Sequence, residues 1–131
     1  MFAKPLSTCA VAILKGGKLG PVVALRADMD ALPVKEPEGL SFASKAIGKY
    51  LSREVSVMHA CKHDAHTAIL MATVEVLTDM KEKLPGTVKF VFQPVEEGPS
   101  LYAAAAGKSW GAKLMGARSR TQSPMRCSVC M

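Results

Sequence analysis

The sequence predicts an α/β fold with a mixed or parallel sheet, because two apolar strands flank one long helix along the chain. Residues 22–25 (VVAL) are β-branched and apolar, and residues 87–92 (TVKFVF) have the composition of a buried strand. Between them, residues 65–84 carry apolar side chains at helical spacing, at Ile69, Ala72, Val76 and Met80. Strand, helix and strand in succession favour two neighbouring parallel strands.

Segments around this unit complete the expected architecture. Residues 8–14 (TCAVAIL) predict a further strand, and the turn-rich residues 15–21 predict a β-hairpin, or at least adjacency, with the next strand. Asp64 precedes the helix and can cap it. Residues 35–57 have no clear period and are expected to be mostly loop. The segments RADMDALP and QPVEEG each follow a strand, at the sheet edge where open α/β sheets form their sites.

Composition narrows the class of protein. The chain has 131 residues, enough for one small domain, and its 49% hydrophobic and 21% charged content is that of a globular protein. No apolar run is long enough to span a bilayer, so no membrane partner is expected. The N-terminus lacks the apolar core of a signal peptide, and the four cysteines do not have disulfide-framework spacing, so we expect a cytoplasmic location.

The positive charge is concentrated at the C-terminal end. The formal net charge is +6, and residues 107–131 hold five Lys or Arg and no acidic residue. Neither interleaved aromatic residues nor a nucleic-acid motif accompanies them, so no nucleic-acid partner is expected. The pattern Cys127-Ser-Val-Cys130 lacks the second pair of ligands that a zinc site needs. We therefore predict two parts, residues 1–99 as a partial domain and residues 100–131 as an atypical basic tail.

Residues 59–66 (HACKHDAH) hold all three histidines, one Cys and one Asp. Thiolate, imidazole and carboxylate together suit a divalent transition metal such as zinc, manganese, cobalt or nickel. The ordinary alternative is a polar helix N-terminus with a buried free Cys, but the density of ligand types favours a metal site.

Carboxylates follow both strands. Neighbouring residues on extended chain point in opposite directions, so Glu96 and Glu97 can do different jobs. One can bind a metal while the other acts as a general base toward water. Asp28 and Asp30 can hold a metal ligand in place by hydrogen bonds without binding the metal themselves, although capping and turn formation explain their spacing equally well.

Three ordered segments together resemble one family, the metal-dependent amidohydrolases of the aminoacylase/carboxypeptidase family, in its hippurate hydrolase and indole-acetyl-amino-acid hydrolase branch. The family carries ALRADMDALP, then MHACGHDAH, then GTVKxxFQPAEEG. This chain has ALRADMDALP from Ala24, MHACKHDAH from Met58 and GTVKFVFQPVEEG from Gly86. The resemblance covers residues 8–99, and three motifs in order are far more specific than one.

The resemblance implies a fold, a reaction and site residues. The fold is the catalytic domain of a di-metal aminopeptidase/carboxypeptidase-like enzyme, and the reaction is hydrolysis of N-acyl amino acids such as hippurate. Cys61, His63 and Glu97 match metal ligands of a two-ion site for Zn, Mn, Co or Ni, and Glu96 matches the general base. Asp28 and Asp30 match a segment near the site, and Asp64 is a further supporting candidate. Family members dimerise through a smaller inserted domain.

The chain departs from this pattern in several places. Lys62 stands where the family has Gly, which tolerates backbone conformations that Lys resists. The family's two remaining histidine ligands lie further along, and this chain has no His after His66. The inserted domain is also absent. We therefore expect a hydrolase fragment that is inactive by itself, and the alternative is a non-catalytic metal-binding or interaction fragment.

The tail suggests an origin for these departures. One allowed choice of codons for residues 116–131 encodes RALADPKPDAVFGLH in another reading frame, a kind of segment that the family carries with a metal-binding histidine. We hypothesise that the tail is an out-of-frame translation. A sequence never selected for this fold should lack a strand that packs on the sheet.

Overall fold

The computed structural model describes residues 10–97 together with the backbone of the strand Arg126–Cys130. These residues form one helix, α1 (His63–Asp79), which is followed by a short 3₁₀ turn at Lys81–Lys83. The strands, in chain order, are β1 (Ala10–Lys15), β2 (Lys18–Asp28), β3 (Ile47–Tyr50), β4 (Arg53–Ser56), β5 (Pro85–Gln93) and β6 (Arg126–Cys130).

Four strands form a mixed sheet in the order β1-β5-β2-β6. Strands β2 and β5 are parallel, with α1 as the connection between them, which confirms the predicted strand-helix-strand unit. Their register pairs Asp28 with Gln93, the last residue of each strand. The carboxyl ends of the two strands therefore meet at one edge of the sheet.

The expected pairing of β1 with β2 is wrong, because β5 lies between them. Strand β1 is antiparallel to β5, while β2 is parallel to it. The turn that joins β1 to β2 instead crosses the start of β5, where Gly16 N–H donates to the Gly86 carbonyl at 2.8 Å. A Cβ on Gly16 would lie 2.1 Å from the Leu84 carbonyl oxygen, so this crossing requires glycine.

The core lies between α1 and one face of the sheet. Its buried members are Ala27, Leu70, Val88 and Phe90, of which Leu70 and Phe90 are almost fully enclosed. Partly buried apolar side chains complete the cluster: Leu14, Leu25, Val74, Leu77, Leu84 and Phe92. This small core holds α1 against β2 and β5, and so fixes where the start of the helix lies relative to the strand ends.

Helix α1 differs from its prediction in position and in orientation. It begins at His63, so Asp64 lies in the first turn, where its charge suits the helix dipole, and its side chain caps nothing. The apolar positions that indicated the helix include Ile69, Val76 and Met80, each about half exposed, while Leu70 faces the sheet. The helix is apolar on two faces, so the spacing of its apolar residues predicted a helix but did not show which face is buried.

No helix within the described ranges is long and apolar enough to cross a membrane.

Two elements were not predicted. Residues 35–57 were expected to be loop, but β3 and β4 form an antiparallel hairpin there, joined by a turn that contains neither Gly nor Asn. Strand β6 pairs parallel with β2 inside the predicted tail, so the expectation that this tail holds no strand is wrong there. Residues 98–125 lie outside the described part of the chain. The boundary at residue 99 and the out-of-frame origin stay predictions.

Candidate metal centre

Three polar segments converge at the carboxyl ends of β2 and β5. The loop after β2 continues to pair with β5, because Met29 N–H donates to the Gln93 carbonyl at 2.8 Å. The start of α1 is tied to the same edge by Thr67, whose hydroxyl donates to the Asp28 carbonyl at 3.0 Å. The segments that carry the predicted ligands thus reach one place through the crossover that the parallel strands require.

Asp30 organises this edge through its carbonyl and its carboxylate. The carbonyl oxygen accepts hydrogen bonds from Nδ1 of His59 at 3.0 Å and Nδ1 of His63 at 2.9 Å. Because a carbonyl only accepts, both rings carry their proton on Nδ1, which leaves Nε2 able to bind a cation. Oδ2 of the carboxylate accepts from the backbone N–H groups of Glu96 and Glu97, each at 3.0 Å.

Left-handed backbone conformations shape two of the converging segments. Lys62, which precedes α1, has φ 61° and ψ 27°, and its N–H donates to the His59 carbonyl at 3.0 Å. Val95, just before the carboxylate pair, has φ 59°. This region is unfavourable for any side chain and most so for a β-branched one. The motif that the chain resembles has Gly and Ala at these positions, so both departures fall on strained backbone.

Asp28 is held by one oxygen and left free at the other. Its Oδ2 accepts from the Arg26 guanidinium at 3.0 Å, and a second Arg26 nitrogen donates to the Gln93 side-chain carbonyl at 3.1 Å. Oδ1 is buried and has no hydrogen-bond partner. Burial raises the pKa of the Asp28 carboxyl group above its usual value, while the Arg26 guanidinium opposes this rise.

The structure groups three potential ligands. Ligand atoms of Asp28, His63 and Glu96 all lie within 4.8 Å of one another. His63 is 6% exposed, while Glu96 lies at the open side of the group. Two carboxylates and one imidazole form a donor set that suits a divalent first-row ion.

Cys61 and Glu97 lie beside this group and near each other. A hydrogen bond to the Glu97 carboxylate raises the pKa of the Cys61 thiol, and the charges of Glu97, Glu96 and Asp30 act in the same direction. Without a cation, negative charge on Cys61 is therefore opposed by its surroundings.

Every predicted site residue except Asp64 takes part in this arrangement. His63 lies with Asp28 and Glu96, while Cys61 lies with Glu97. Sequence reasoning missed the supporting residues Arg26, Thr67 and Gln93, although Arg26 lies inside the ALRADMDALP segment. Asp64 is exposed in the first turn of α1. The roles assigned to the predicted ligands stay predictions.

The residues fit a divalent metal on two grounds. Oδ1 atoms of both Asp28 and Asp30 are buried without a hydrogen bond, although His63 Nδ1 lies 3.3 Å from Asp30 Oδ1. Such unpaired acceptors are costly unless a donor or a cation reaches them. Several carboxylates also share this edge with Arg26, so added positive charge is favourable.

Comparison with known proteins gives a consistent result. The sequence profile of peptidase family M20/M25/M40 matches residues 24–128. An N-acyl-L-amino acid amidohydrolase of Geobacillus stearothermophilus is 43% identical over 96 residues, which are 73% of this chain and 24% of that protein. IAA-amino acid hydrolase ILR1-like 5 of Arabidopsis thaliana is 44% identical over 97 residues, 74% of this chain and 20% of its own length.

A solved structure extends the similarity to the fold. The YXEP protein of Bacillus subtilis, described as a dinuclear metal binding peptidase from the M20 family, superposes with a TM-score of 0.69 at 39% sequence identity. The superposition covers 97% of this chain and 31% of that chain. The chain thus spans between about a fifth and a third of the length of these proteins.

Proposed function

The chain belongs to peptidase family M20/M25/M40, and we propose that it forms part of a metal-dependent hydrolase that cleaves the amide bond of N-acyl amino acids. Hippurate and related conjugates are the proposed substrates. The observation that supports this most strongly is the convergence of Asp30, His63 and the Glu96–Glu97 pair at the carboxyl edge of the sheet. Relatives named for N-acyl amino acid and IAA-amino acid hydrolysis support this class of substrate.

The proposal gives each residue a role. Cys61, His63 and Glu97 are metal ligands, and Glu96 is the general base. A bound divalent ion would polarise the scissile carbonyl and make water more acidic. Glu96 would accept a proton from the attacking water at its carboxylate and pass it to the leaving amine, so that amide and water become carboxylic acid and amine. The Asp30 carbonyl would hold the His63 ring in the correct tautomer.

The proposed cofactor is a pair of divalent ions, zinc, manganese, cobalt or nickel, in the complete enzyme. We propose that the chain by itself does not turn over, because its residues supply only part of the ligand set that the family uses. Dimerisation would belong to the complete enzyme. A cytoplasmic location is proposed because the cysteine spacing is not that of a disulfide-stabilised secreted protein.

The test measures binding and turnover on the same preparation. Zinc should raise the Tm of the chain, because an ion that binds only the folded state stabilises it. Hippurate should raise the Tm further when the metal is present and not after chelation. Amino acid release from hippurate should be absent. If the chain does release amino acid from hippurate in a metal-dependent way, and Glu96→Gln abolishes this release, the proposed inactivity is wrong and the role of Glu96 is supported. Failure of the chain to bind either zinc or hippurate would contradict the proposal.

A second candidate is a metal-binding or interaction module without any link to amide substrates. The group of Asp28, His63 and Glu96 favours it, because their ligand atoms lie within 4.8 Å of one another and binding of an ion there needs no substrate. A zinc-dependent rise in Tm without any effect of hippurate, of N-acetyl amino acids or of indole-acetyl amino acids would support this module over the hydrolase fragment.

A further inference from the structure

We infer that two copies of this chain pair through the solvent side of α1, with the two helices antiparallel about a two-fold axis near Ala72. The inference goes beyond the proposed function, because this surface points away from the sheet and needs neither metal nor substrate. It is also separate from dimerisation through an inserted domain, which the resemblance implies for complete members of the family.

The solvent side of α1 is apolar along its length. Residues three or four positions apart form one row on this side, the α1 stripe: Ala65, Ile69, Ala72, Val76 and Met80. Ile69, Val76 and Met80 are each about half exposed, and both alanines are exposed. Leu70 and Val74 belong to the core on the sheet side of the helix. A surface helix normally presents polar residues to solvent, so the α1 stripe has the character of an interface.

The order of residues in the α1 stripe suits a second copy of itself. When two such helices lie antiparallel about an axis near Ala72, Ala65 of one copy faces Met80 of the second copy, and Ile69 faces Val76. A small residue then meets a large one at each end, and two alanines meet at the axis, where the helices approach closely. A two-fold interface between identical chains requires this kind of self-complementarity.

Charges at the two ends of the helix favour the antiparallel orientation. Asp64 is exposed in the first turn of α1, and Lys81 is exposed just after its last turn. Both lie equally far from the axis, so each Asp64 comes opposite Lys81 of the second copy. Lys62 and Lys83 meet as like charges further out, where solvent and salt screen them. Parallel helices would instead bring Asp64 next to Asp64 and Lys81 next to Lys81.

The size of this surface predicts a weak dimer. Helix α1 has 17 residues and is therefore about 25 Å long. One pair of helices of this length buries less than the roughly 1,200 Å² at the lower end of stable interfaces. The α1 stripe also contains no aromatic residue and no arginine, the residues that contribute most to binding at interfaces. We therefore expect a Kd on the order of 100 µM.

Sedimentation equilibrium of the full chain between about 10 and about 500 µM tests the inference, because this range spans the expected Kd. A metal chelator and the absence of substrate keep the test independent of the proposed hydrolase. Ile69→Lys and Val76→Lys each place a charge inside the interface, so the Kd should rise at least about tenfold. The matched controls Leu19→Lys and Ile13→Lys alter exposed apolar residues on β2 and β1 and should leave the Kd unchanged. Circular dichroism checks that each variant is folded.

Charge reversal at the helix ends tests the orientation. Asp64→Lys and Lys81→Asp should each raise the Kd by about twofold to about tenfold, because an exposed ion pair contributes little. The double variant Asp64→Lys/Lys81→Asp should restore the original Kd, since it rebuilds the same pair with the signs exchanged. Failure of the double variant to restore the Kd after both single variants raise it would contradict the antiparallel pairing.

Cysteine cross-linking locates the axis. Ala72→Cys should form a disulfide-linked dimer in air, because the axis brings the two copies of this residue together. Met71→Cys and Thr78→Cys, on other sides of α1, should cross-link no more than the unaltered chain with its four native cysteines. A chain that stays monomeric over the whole concentration range would overturn the inference. A dimer that the two lysine controls weaken as much as Ile69→Lys does would also overturn it, and neither result bears on the proposed hydrolase.

Discussion

The carboxyl edge of the sheet and the β3–β4 hairpin both contain side-chain-bearing residues in left-handed backbone conformations. At the edge these are Lys62 and Val95, with φ of 61° and 59°. In the hairpin they are Leu51 and Ser52, with φ of 50° and 65°. Each position costs on the order of 1–2 kcal/mol relative to ordinary backbone, but the surroundings differ.

At the edge, the strained residues lie next to groups that hydrogen bonds hold in place. Lys62 N–H donates to the His59 carbonyl. Val95 is followed by Glu96 and Glu97, whose backbone N–H groups donate to the Asp30 carboxylate. In the hairpin, Leu51 is 55% exposed and the strain serves only to reverse the chain between Tyr50 and Arg53. Strain therefore points to function only where surrounding contacts fix it beside ligand atoms.

The largest expected effect is at Asp30. Asp30→Ala removes the acceptor of two backbone N–H groups, so the Glu96–Glu97 loop should lose its position. We expect zinc affinity to fall by at least about tenfold and the free energy of unfolding by about 1–3 kcal/mol. Calorimetry and urea denaturation measure the two effects. Asp30→Asn keeps one acceptor oxygen and should lie between Asp30→Ala and the unaltered chain, and equal values for all three would show that the loop is held by other contacts.

Asp28→Asn should have opposite effects on binding and on stability. Burial raises the pKa of Asp28, so the stability linked to this group is present below the usual Asp value of 3.8 and is lost as pH rises through the higher folded pKa. Asn keeps an oxygen for Arg26 without the buried charge. In the presence of a metal chelator, the Asp28→Asn variant should be at least as stable as the unaltered chain near neutral pH, and its stability should depend less on pH.

Urea denaturation between about pH 4 and about pH 7 measures this difference, because that range spans a raised carboxyl pKa. Glu75→Gln provides the control for loss of an exposed charge. A marked loss of stability in Asp28→Asn without metal would mean that the charged pair with Arg26 outweighs the cost of burial.

Lys62→Gly should stabilise the chain and strengthen zinc binding. Glycine adopts φ 61° without the steric cost that lysine meets, so we expect a gain of about 1 kcal/mol. Loss of the ammonium group beside the site should add to zinc affinity. Lys62→Ala removes the charge but keeps the strained side-chain position, so stability should rise only in the glycine variant. Equal zinc affinity in all three forms would mean that the ammonium group lies away from the metal.

The sequence predicted the convergence of the site better than its internal contacts. Parallel pairing of β2 and β5 through α1 forces Asp30 and Glu96 to one edge, and this pairing followed from composition and period alone. Glu96 and Glu97 do lie near different partners, but the pair follows the end of β5 and the left-handed Val95, so strand geometry alone does not account for this. Which carboxylate meets His63 depends on the left-handed Val95, and no local pattern predicts that conformation for a β-branched residue.

The errors in the fold have a common cause. Strand β5 lies between β1 and β2 and is much more buried than β1, although β1 is the more apolar of the two in composition, and adjacency in sequence does not reveal this. The side of α1 that packs on the sheet was equally hidden, because Leu70 and Ile69 are both apolar while only Leu70 is buried. Tertiary packing, rather than local pattern, made both choices.

The smallest expected effect lies in the hairpin and completes the comparison. Positive φ at Leu51 and at Ser52 is the geometry of a type I′ turn, which favours Asn-Gly. The double substitution Leu51→Asn/Ser52→Gly should raise the free energy of unfolding by roughly 0.5–1 kcal/mol, and Ser52→Ala, which keeps a Cβ at this backbone position, should give no gain. Zinc affinity should not change, because relief of turn strain alters no ligand. The hairpin is nevertheless connected to the site, because Met58, which follows β4 and precedes His59, pairs through its backbone with Leu32. A change in zinc affinity in the double variant would therefore mean that strain in the turn is transmitted along this bridge, and the two regions would no longer be independent.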